Sequence, residues 1–226
     1  MTTILPVSFL GSCYSRTTPH ELNCSIESIL LASHAPAEIL LVVDGPVAKD
    51  LSSLIARLQI LYTSLKVINL ENNVGLGNAL KAGLEQCTYD IVFRFDADDI
   101  CCSDRLSVQY NYLLFNPDVS CCGSDVYEFR LYQSNLYSRL KSVPRVHLYF
   151  NSLIRNPLNH PSVAFRKCDV FAAGGYMDCN YFEDYFLWIR MLVQGFKVRN
   201  LECLPLVCMD RPSFNSRRSG VAYFFD

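Results

Sequence analysis

Residues 91–99 have the sequence IVFRFDADD, an apolar run followed at once by three aspartates within four positions. The apolar run has the length and character of a buried β-strand. Carboxylates crowded at a strand end repel one another, and burying them is costly unless a cation or hydrogen-bond donors compensate. Oxygen ligands on a short loop suit Mg²⁺ or Mn²⁺ with substrate phosphates. We therefore predict that Asp96, Asp98 and Asp99 face a metal and a diphosphate; the alternative is a solvated acidic turn that caps the next helix.

An alternation of apolar strands and helical stretches surrounds this segment in the first half of the chain. The predicted helices carry apolar residues at helical spacing, and Pro19 stands near the start of the first one. Such alternation favours right-handed crossovers and an α/β fold, with a mostly parallel central sheet flanked by helices. The predicted strands are Val7–Leu10, Ile39–Val43, Lys66–Leu70, Ile91–Phe95 and Val119–Cys122, and the predicted helices include His20–Ser33, Leu51–Leu61 and Arg105–Phe115.

The alternation ends near residue 124, and the second half has a different pattern. Its first part is aromatic and mixed in charge, which favours a small antiparallel ribbon over another crossover unit. No Gly/Ser-rich linker separates the two halves, so we predict one continuous domain over residues 1–226. The predicted elements are the ribbon Val126–Tyr137, the strands Ser162–Phe165, Lys197–Leu201 and Leu206–Met209, and the helix Phe182–Val193.

The composition excludes several classes of protein. Half of the 226 residues are hydrophobic, which is enough for a sizeable core and too many for a disordered chain. The 20 basic and 22 acidic residues nearly balance, so a nucleic-acid binder is not expected. Eleven cysteines without a CxxC pair favour a reduced compartment. Because signal-peptide and membrane-spanning patterns are missing, we expect a cytoplasmic protein, at most peripheral on a membrane.

Polar residues follow the first, second and fourth predicted strands, at the edge where open α/β sheets bind ligands. They are Cys13–Thr18, Asp44-Gly45 and Asp96–Asp99. Two further stretches have the composition of phosphate contacts. The loop NNVGLGNA at residues 72–79 lacks the glycine spacing and the lysine of common phosphate-binding loops. Arg217 and Arg218 are either solvated charges or a clamp for a diphosphate.

A second acidic pair, Glu183-Asp184, opens the apolar helix of the second half. These carboxylates either complement the helix macrodipole or supply a general base, because an aromatic pocket can tune a carboxylate to accept a proton. His160 is either a packed residue or part of the site, since it precedes a predicted strand. Trp188 is either a core residue or an aromatic face for a sugar ring.

The motifs VVDGP, NNVGLGNALKAGL, FRFDADDI, NPLNHPSVAFRK, FEDYFLWIRML and RRSG follow one another in this order. In this combination the chain resembles glycosyltransferase family 2, and within it the bacterial enzymes of capsule, O-antigen and exopolysaccharide assembly. The resemblance covers nearly the whole chain and implies a GT-A fold. It implies a nucleotide-sugar-binding half at residues 1–123 and an acceptor-side half at residues 124–226. Relatives often run further, which points to a C-terminal segment beyond this chain.

The resemblance also implies roles for both acidic groups. Asp98 matches the aspartate that coordinates the divalent ion on the donor diphosphate, Asp96 lies toward the ribose and shares the ion, and Asp99 supports them. Asp184 matches the family's catalytic base, which deprotonates the acceptor hydroxyl, and Glu183 orients or assists it.

Four further positions match the nucleotide pocket of the family. Asp44 corresponds to the carboxylate on the uridine side, and Tyr14 lies in the loop that borders the nucleotide. Gly75 and Leu76 correspond to the loop flanking the nucleoside. The pair Arg217-Arg218 matches a basic segment that closes over the diphosphate. The chain departs from many relatives at Val43, which replaces an acid, and at Cys13, which replaces a proline or threonine.

These matches imply an inverting, metal-dependent enzyme of the hexosyl- or N-acetylhexosaminyltransferase type. Its donor would be a nucleotide sugar of the UDP series, its cofactor Mn²⁺ or Mg²⁺, and its acceptor a saccharide or lipid-linked oligosaccharide at the inner face of the cytoplasmic membrane. The oligomeric state stays open. Two alternatives are a nucleotidyltransferase that makes sugar nucleotides and a non-catalytic subunit that binds them.

Overall fold

The computed structural model describes residues 3–132, 135–179, 181–202 and 205–210. Within this part of the chain, the first half alternates between strands and helices as its apolar periodicity predicts. The first helix begins where Thr18 and Glu21 form a capping box and Pro19 takes the first helical position. The elements of this half are β1 (Thr3–Cys13), α1 (Pro19–Leu30), β2 (His34–Val43), α2 (Lys49–Leu61), β3 (Leu65–Asn69), α3 (Leu76–Gln86), β4 (Ile91–Arg94), β5 (Asp99–Cys101), α4 (Arg105–Phe115) and β6 (Val119–Gly123).

The second half begins with an antiparallel hairpin, where the sequence predicts a ribbon. The strand predicted at Ser162–Phe165 starts later, because a one-turn 3₁₀ helix occupies His160–Ser162. The Ser162 amide donates to the carbonyl oxygen of Asn159 at 2.9 Å, which keeps Ser162 in this turn and out of the strand. The elements of this half are β7 (Val126–Tyr132), β8 (Asn135–Lys141), α5 (Leu148–Asn151), β9 (Ala164–Arg166), α6 (Lys167–Ala172), α7 (Glu183–Val193), β10 (Lys197–Asn200) and β11 (Val207–Asp210).

A seven-stranded sheet forms the centre of the fold, in the order β10-β6-β9-β4-β1-β2-β3. Its pairs β1·β2, β1·β4, β2·β3 and β6·β10 are parallel, so the prediction of a mostly parallel sheet is confirmed. Strand β9 runs antiparallel to both of its neighbours, β4 and β6. A strand from the second half therefore joins two strands of the first half in one sheet.

A second, four-stranded sheet has the order β5-β11-β7-β8. Its strand β5 begins at Asp99, the last residue of the acidic stretch. The sequence does not predict β5, because this strand has only three residues and begins with Asp99, the last of the three aspartates. Strand β11 pairs antiparallel with β5 and parallel with β7. The carboxyl-terminal described strand is thereby hydrogen-bonded to the segment that begins with Asp99.

Helices cover both faces of the central sheet with apolar side chains. Helices α1, α2 and α4 pack on one face, where Phe9 and Phe93 stack with ring centroids 5.0 Å apart. Helices α3 and α7 pack on the other face, around the fully buried Trp188. Half of the free cysteines of the described residues are buried. Among these residues, no helix combines the length and the apolarity needed to cross a bilayer.

A buried arginine on α4 joins β4, β6 and β9 at the edge of the sheet where the acidic loop leaves β4. Arg105 donates through Nη2 to the carbonyl oxygens of Arg94 at 2.8 Å and Val163 at 3.1 Å, and through Nε to Gln109 at 3.0 Å. Gln109 in turn donates to the carbonyl oxygens of Ser162 and Cys122. The pair satisfies backbone acceptors at the ends of β4, β6 and β9, where the sheet ladder itself is short.

A buried carboxylate joins the strands at the opposite end. Glu38 accepts hydrogen bonds from the Ser8 hydroxyl at 2.5 Å, Lys66 Nζ at 2.7 Å, and the hydroxyl and amide of Thr88 at 2.7 and 2.8 Å. Burial alone would raise the pKa of Glu38, but these donors outweigh burial and lower it to about 2. The ionised carboxylate thus connects β1, β2, β3 and the turn before β4.

We expect Glu38→Gln to lower the free energy of unfolding by about 3 kcal/mol at neutral pH. Because the folded pKa lies below the unfolded value, the contribution of Glu38 is present above about pH 4.5 and is lost as the pH falls toward 2. Urea unfolding at pH 7 and near pH 3 measures both effects. The exposed Glu85→Gln on α3 is the control. A loss that is equally large at both pH values would contradict the assignment.

Candidate active site

The carboxyl ends of β4, β1 and β2 lie side by side, and the loops that leave them form one edge of the sheet. Strands β1 and β2 pair in register to their last residues, so Tyr14 and Asp44 begin adjacent loops. The Phe95 amide donates to the carbonyl oxygen of Leu10, which sets the acidic loop after β4 beside β1. The three polar loops expected at one edge therefore meet there.

Asp44 fastens the loop before α3 to the end of β2. Its buried carboxylate accepts the backbone amides of Val74 at 2.8 Å and Gly75 at 3.1 Å. Gly75 has a φ of 84°, in the left-handed region that favours glycine, and Leu76 is the first residue of α3. Asp44, Gly75 and Leu76 thus form one unit, and the half-exposed Tyr14 begins the loop that follows the adjacent strand β1.

The three aspartates after β4 come together. One carboxylate oxygen of each lies within 4.8 Å of the others, with Asp99 buried and Asp96 and Asp98 half-buried. The Ser25 hydroxyl donates to the carbonyl oxygen of Asp96 at 2.9 Å and holds the loop against α1. Helix α4 starts after Asp104, so the acidic cluster does not cap it. This all-oxygen set fits Mg²⁺ or Mn²⁺, which prefer carboxylate ligands.

Arg94 is a functional candidate that the motif search missed. It is 1% exposed, and its Nη2 donates to Asp96 at 2.5 Å. Its Nε and Nη1 have no hydrogen-bond partner among the described residues. A buried guanidinium behind the acidic loop offsets part of the repulsion among the carboxylates. The available signal was a charged residue inside the apolar run IVFRF, which a buried strand rarely carries without a partner.

Asp184 lies in the first turn of α7 and is held by a residue from another loop. Asn156 Nδ2 donates to Asp184 Oδ2 at 2.7 Å, and the Tyr185 amide donates to Asp184 Oδ1 at 2.7 Å. The Leu158 amide donates to the Asn156 side-chain oxygen at 3.2 Å, which fixes the orientation of the amide group. Asn156 also escaped the sequence analysis, because nothing in the sequence indicates that its loop reaches α7.

Glu183 lies where the two acidic groups meet. Burial raises the pKa of Glu183 to about 7, with help from the negative charges of Asp184 and Asp96, while a backbone hydrogen bond and Arg94 oppose the shift. A Cβ placed on Gly77 would come within 3.1 Å of the Glu183 Cβ, so glycine at this position lets α3 approach α7. The candidate base region and the acidic loop therefore share one electrostatic environment.

His160 and Trp188 lie beneath this site rather than on its surface. His160 Nε2 is 3.0 Å from the Tyr176 hydroxyl, and its ring lies 6.2 Å from the Trp188 ring. Burial raises the pKa of Tyr176 above its ordinary value. Trp188 has no exposed surface, so its ring faces other protein groups. Arg217 and Arg218 lie outside the described residues.

The fold matches that of a protein solved with a bound sugar nucleotide. The crystal structure of S. aureus TarS 1–349 in complex with UDP-GlcNAc superposes with a TM-score of 0.71 at 14% identity, over 96% of this chain and 60% of that one. This chain thus spans less than two thirds of the TarS structure. At this identity the match defines the fold, which is the GT-A fold of nucleotide-sugar glycosyltransferases.

The family follows from sequence comparison. The model of Glycosyl transferase family 2 matches residues 11–175. The amylovoran biosynthesis glycosyltransferase AmsE of Erwinia amylovora is 39% identical over 93% of this chain and 79% of its own length. An Escherichia coli enzyme named UDP-Gal:alpha-D-GlcNAc-diphosphoundecaprenol beta-1,3-galactosyltransferase is 35% identical over 96% of this chain and 78% of its own length. The chain belongs to glycosyltransferase family 2, and the predicted enzyme class is confirmed.

We expect Glu183→Gln to stabilise the metal-free protein at alkaline pH. The folded pKa of Glu183 lies above the unfolded value, so its ionisation becomes a penalty as the pH rises from about 4.5 through 7. The variant removes that penalty and should gain on the order of 2–3 kcal/mol near pH 8 and little near pH 4. Urea unfolding in a chelator at both pH values tests this, and a gain of equal size at pH 4 would rule out the electrostatic cause.

Proposed function

We propose that this chain is an inverting, metal-dependent enzyme that transfers a sugar from a UDP-sugar to a hydroxyl group of a saccharide or lipid-linked acceptor in bacterial surface-polysaccharide assembly. The observation that carries the proposal is the meeting of two carboxylate groups, Asp96–Asp99 and Glu183-Asp184, at one sheet edge. The names of the AmsE and galactosyltransferase relatives support the polysaccharide role and the lipid-diphosphate acceptor.

The donor nucleotide would lie along the ends of β1 and β2. Tyr14 borders this surface, and Asp44 holds Gly75 and Leu76 in a fixed loop beside it. Asp98 and Asp96 would hold the divalent ion, Mn²⁺ or Mg²⁺, with Asp99 supporting the loop from β5. Such an ion, when bound, supplies positive charge that stabilises a leaving diphosphate. Arg217 and Arg218 are proposed to add to that charge.

Asp184 is proposed as the general base. As the acceptor oxygen attacks the anomeric carbon from the face opposite the diphosphate, an Asp184 oxygen takes the hydroxyl proton while the bond from carbon to the diphosphate oxygen breaks. The Asn156 hydrogen bond orients the Asp184 carboxylate for this role. Glu183, whose pKa is raised to about 7 by burial, is partly protonated at neutral pH and is proposed to assist Asp184.

The two halves of the chain divide these tasks in our proposal. Residues 1–123 carry the donor side, and residues 124–226 carry Asp184 and the acceptor side. A cytoplasmic location at the inner face of the membrane would give the enzyme access to both a nucleotide sugar and a lipid-linked acceptor.

We expect Asp184→Asn to lower the rate of sugar transfer about 100-fold or more, because the amide cannot accept the proton. The affinity for UDP should stay within about twofold, since the acid is placed on the acceptor side. Asp50→Asn, an exposed acid in the first turn of α2, is the matched control. Assays that separate released UDP from pyrophosphate also distinguish transfer from nucleotidyl transfer. Normal turnover of Asp184→Asn would refute the base assignment.

We expect Asp98→Asn to weaken UDP binding in the presence of Mn²⁺ by about tenfold, because one of the clustered carboxylates is lost. Binding of UDP in a chelator should be unchanged, since that binding uses no metal. Titration calorimetry with and without Mn²⁺ measures both values, and the exposed Asp104→Asn serves as the control. Equal losses in both conditions would show that Asp98 acts structurally rather than as a ligand.

A further inference from the structure

The middle of the chain carries an unbroken stretch without negative side chains. Residues 129–168 contain no aspartate or glutamate, although the whole chain has slightly more acidic than basic residues. The basic residues of this stretch are Arg130, Arg139, Lys141, Arg145, Arg155, Arg166 and Lys167. Arg166 and Lys167 are used within the fold, where they donate to the carbonyl oxygens of Leu113, Val119 and Cys87, so the run of positive charge that can meet an anionic partner ends at Arg155.

An exposed apolar surface lies inside this stretch. We call it the 146–155 surface; its exposed side chains are apolar apart from His147 and, at its end, Arg155. Leu148 and Ser152, one helical turn apart, are buried and anchor the segment. Phe150, Leu153 and Ile154 are 65, 68 and 85% exposed. The remaining outward apolar side chains are Val146 and Tyr149.

The positive charge that the surface offers to a partner is that of Arg155. Arg155 is exposed and donates to the Ser142 carbonyl oxygen at 2.7 Å, with no ion pair to a carboxylate in the described residues. Arg145 pairs with Asp125. Other exposed apolar pairs exist, such as Ile60 and Leu61 at the end of α2, but their acid-free stretch, residues 51–70, is half as long and carries two basic residues, Arg57 and Lys66, rather than seven.

The 146–155 surface is connected directly to the candidate base. The Tyr185 hydroxyl donates to the carbonyl oxygen of Ser152, and Asn156, the next residue after the surface, donates to Asp184. A partner that covers the 146–155 surface would therefore lie next to Asp184, on the acceptor side of the proposed site.

We propose that the 146–155 surface docks on an anionic phospholipid bilayer. Exposed aliphatic and aromatic side chains beside cationic ones are the composition that inserts at the headgroup boundary of anionic membranes. Docking there would hold α7 and Asp184 next to the plane in which a lipid-linked acceptor presents its hydroxyl. The benefit to catalysis rests on the proposed function, whereas the docking itself does not.

The test is co-sedimentation of the full chain with vesicles of phosphatidylcholine, with and without phosphatidylglycerol. We expect binding only to the phosphatidylglycerol vesicles, weakening as salt is raised. The double variant Phe150→Ser/Ile154→Ser should lose about tenfold or more in affinity. The control Ile60→Ser/Leu61→Ser, with similarly exposed side chains on another face, should bind as the parent does. Arg155→Gln should weaken binding to the phosphatidylglycerol vesicles, because it removes the positive charge at the end of the surface.

Two outcomes would overturn the proposal. One is equal binding by the Phe150→Ser/Ile154→Ser variant and the parent, or no binding by either. The other is that the parent is a dimer in solution and the double variant is a monomer, which would show that a second copy covers the surface. Transfer to a short-chain soluble acceptor separates the two proposals. If soluble transfer fails while vesicle binding holds, the proposed function is wrong and the docking surface is not.

Discussion

The hydrogen bonds from Arg105 to the carbonyl oxygens of Arg94 and Val163 hold together two strands that come from distant parts of the chain. Strand β9 has three residues, so its own ladder gives few bonds to β4 and β6. The buried guanidinium adds bonds at the edge where that ladder stops, and Gln109 extends them to β6. Both acidic groups of the site depend on this junction, because one follows β4 and the other follows the chain that leaves β9.

Compensation of negative charge is the second constraint on the site. Five carboxylates gather near one edge, and the buried Arg94 supplies a cation behind them. The negative charge that Arg94 does not balance acts on Glu183, whose pKa is raised by burial and by the charges of Asp184 and Asp96. Repulsion among these carboxylates lowers the stability of the free protein, and cations that bind there would restore it. The electrostatic repulsion is therefore concentrated in the carboxylates for which a function is proposed.

The sequence predicted those parts that depend on local pattern. Apolar periodicity located the parallel strands and most helices, and the aspartates after β4 marked the edge that carries the site. Pairings between distant segments could not be predicted from the sequence. Nothing in the local pattern indicates that β9 enters the sheet between β4 and β6, or that β5 pairs with β11. Arg94 and Asn156 were missed for the same reason, since each acquires its role from a partner that only the fold brings close.

The place of β6 in the sheet has a consequence for how the chain is made. Its two neighbours, β9 and β10, are both encoded later, at residues 164–166 and 197–200. While a ribosome extends the chain, β6 has no partner in the central sheet until roughly forty further residues have emerged, and nascent domains fold as units at the pace of synthesis. The Val119–Gly123 segment thus lacks both of its sheet neighbours during that interval, and the central sheet cannot be completed across β6 until β9 has been made.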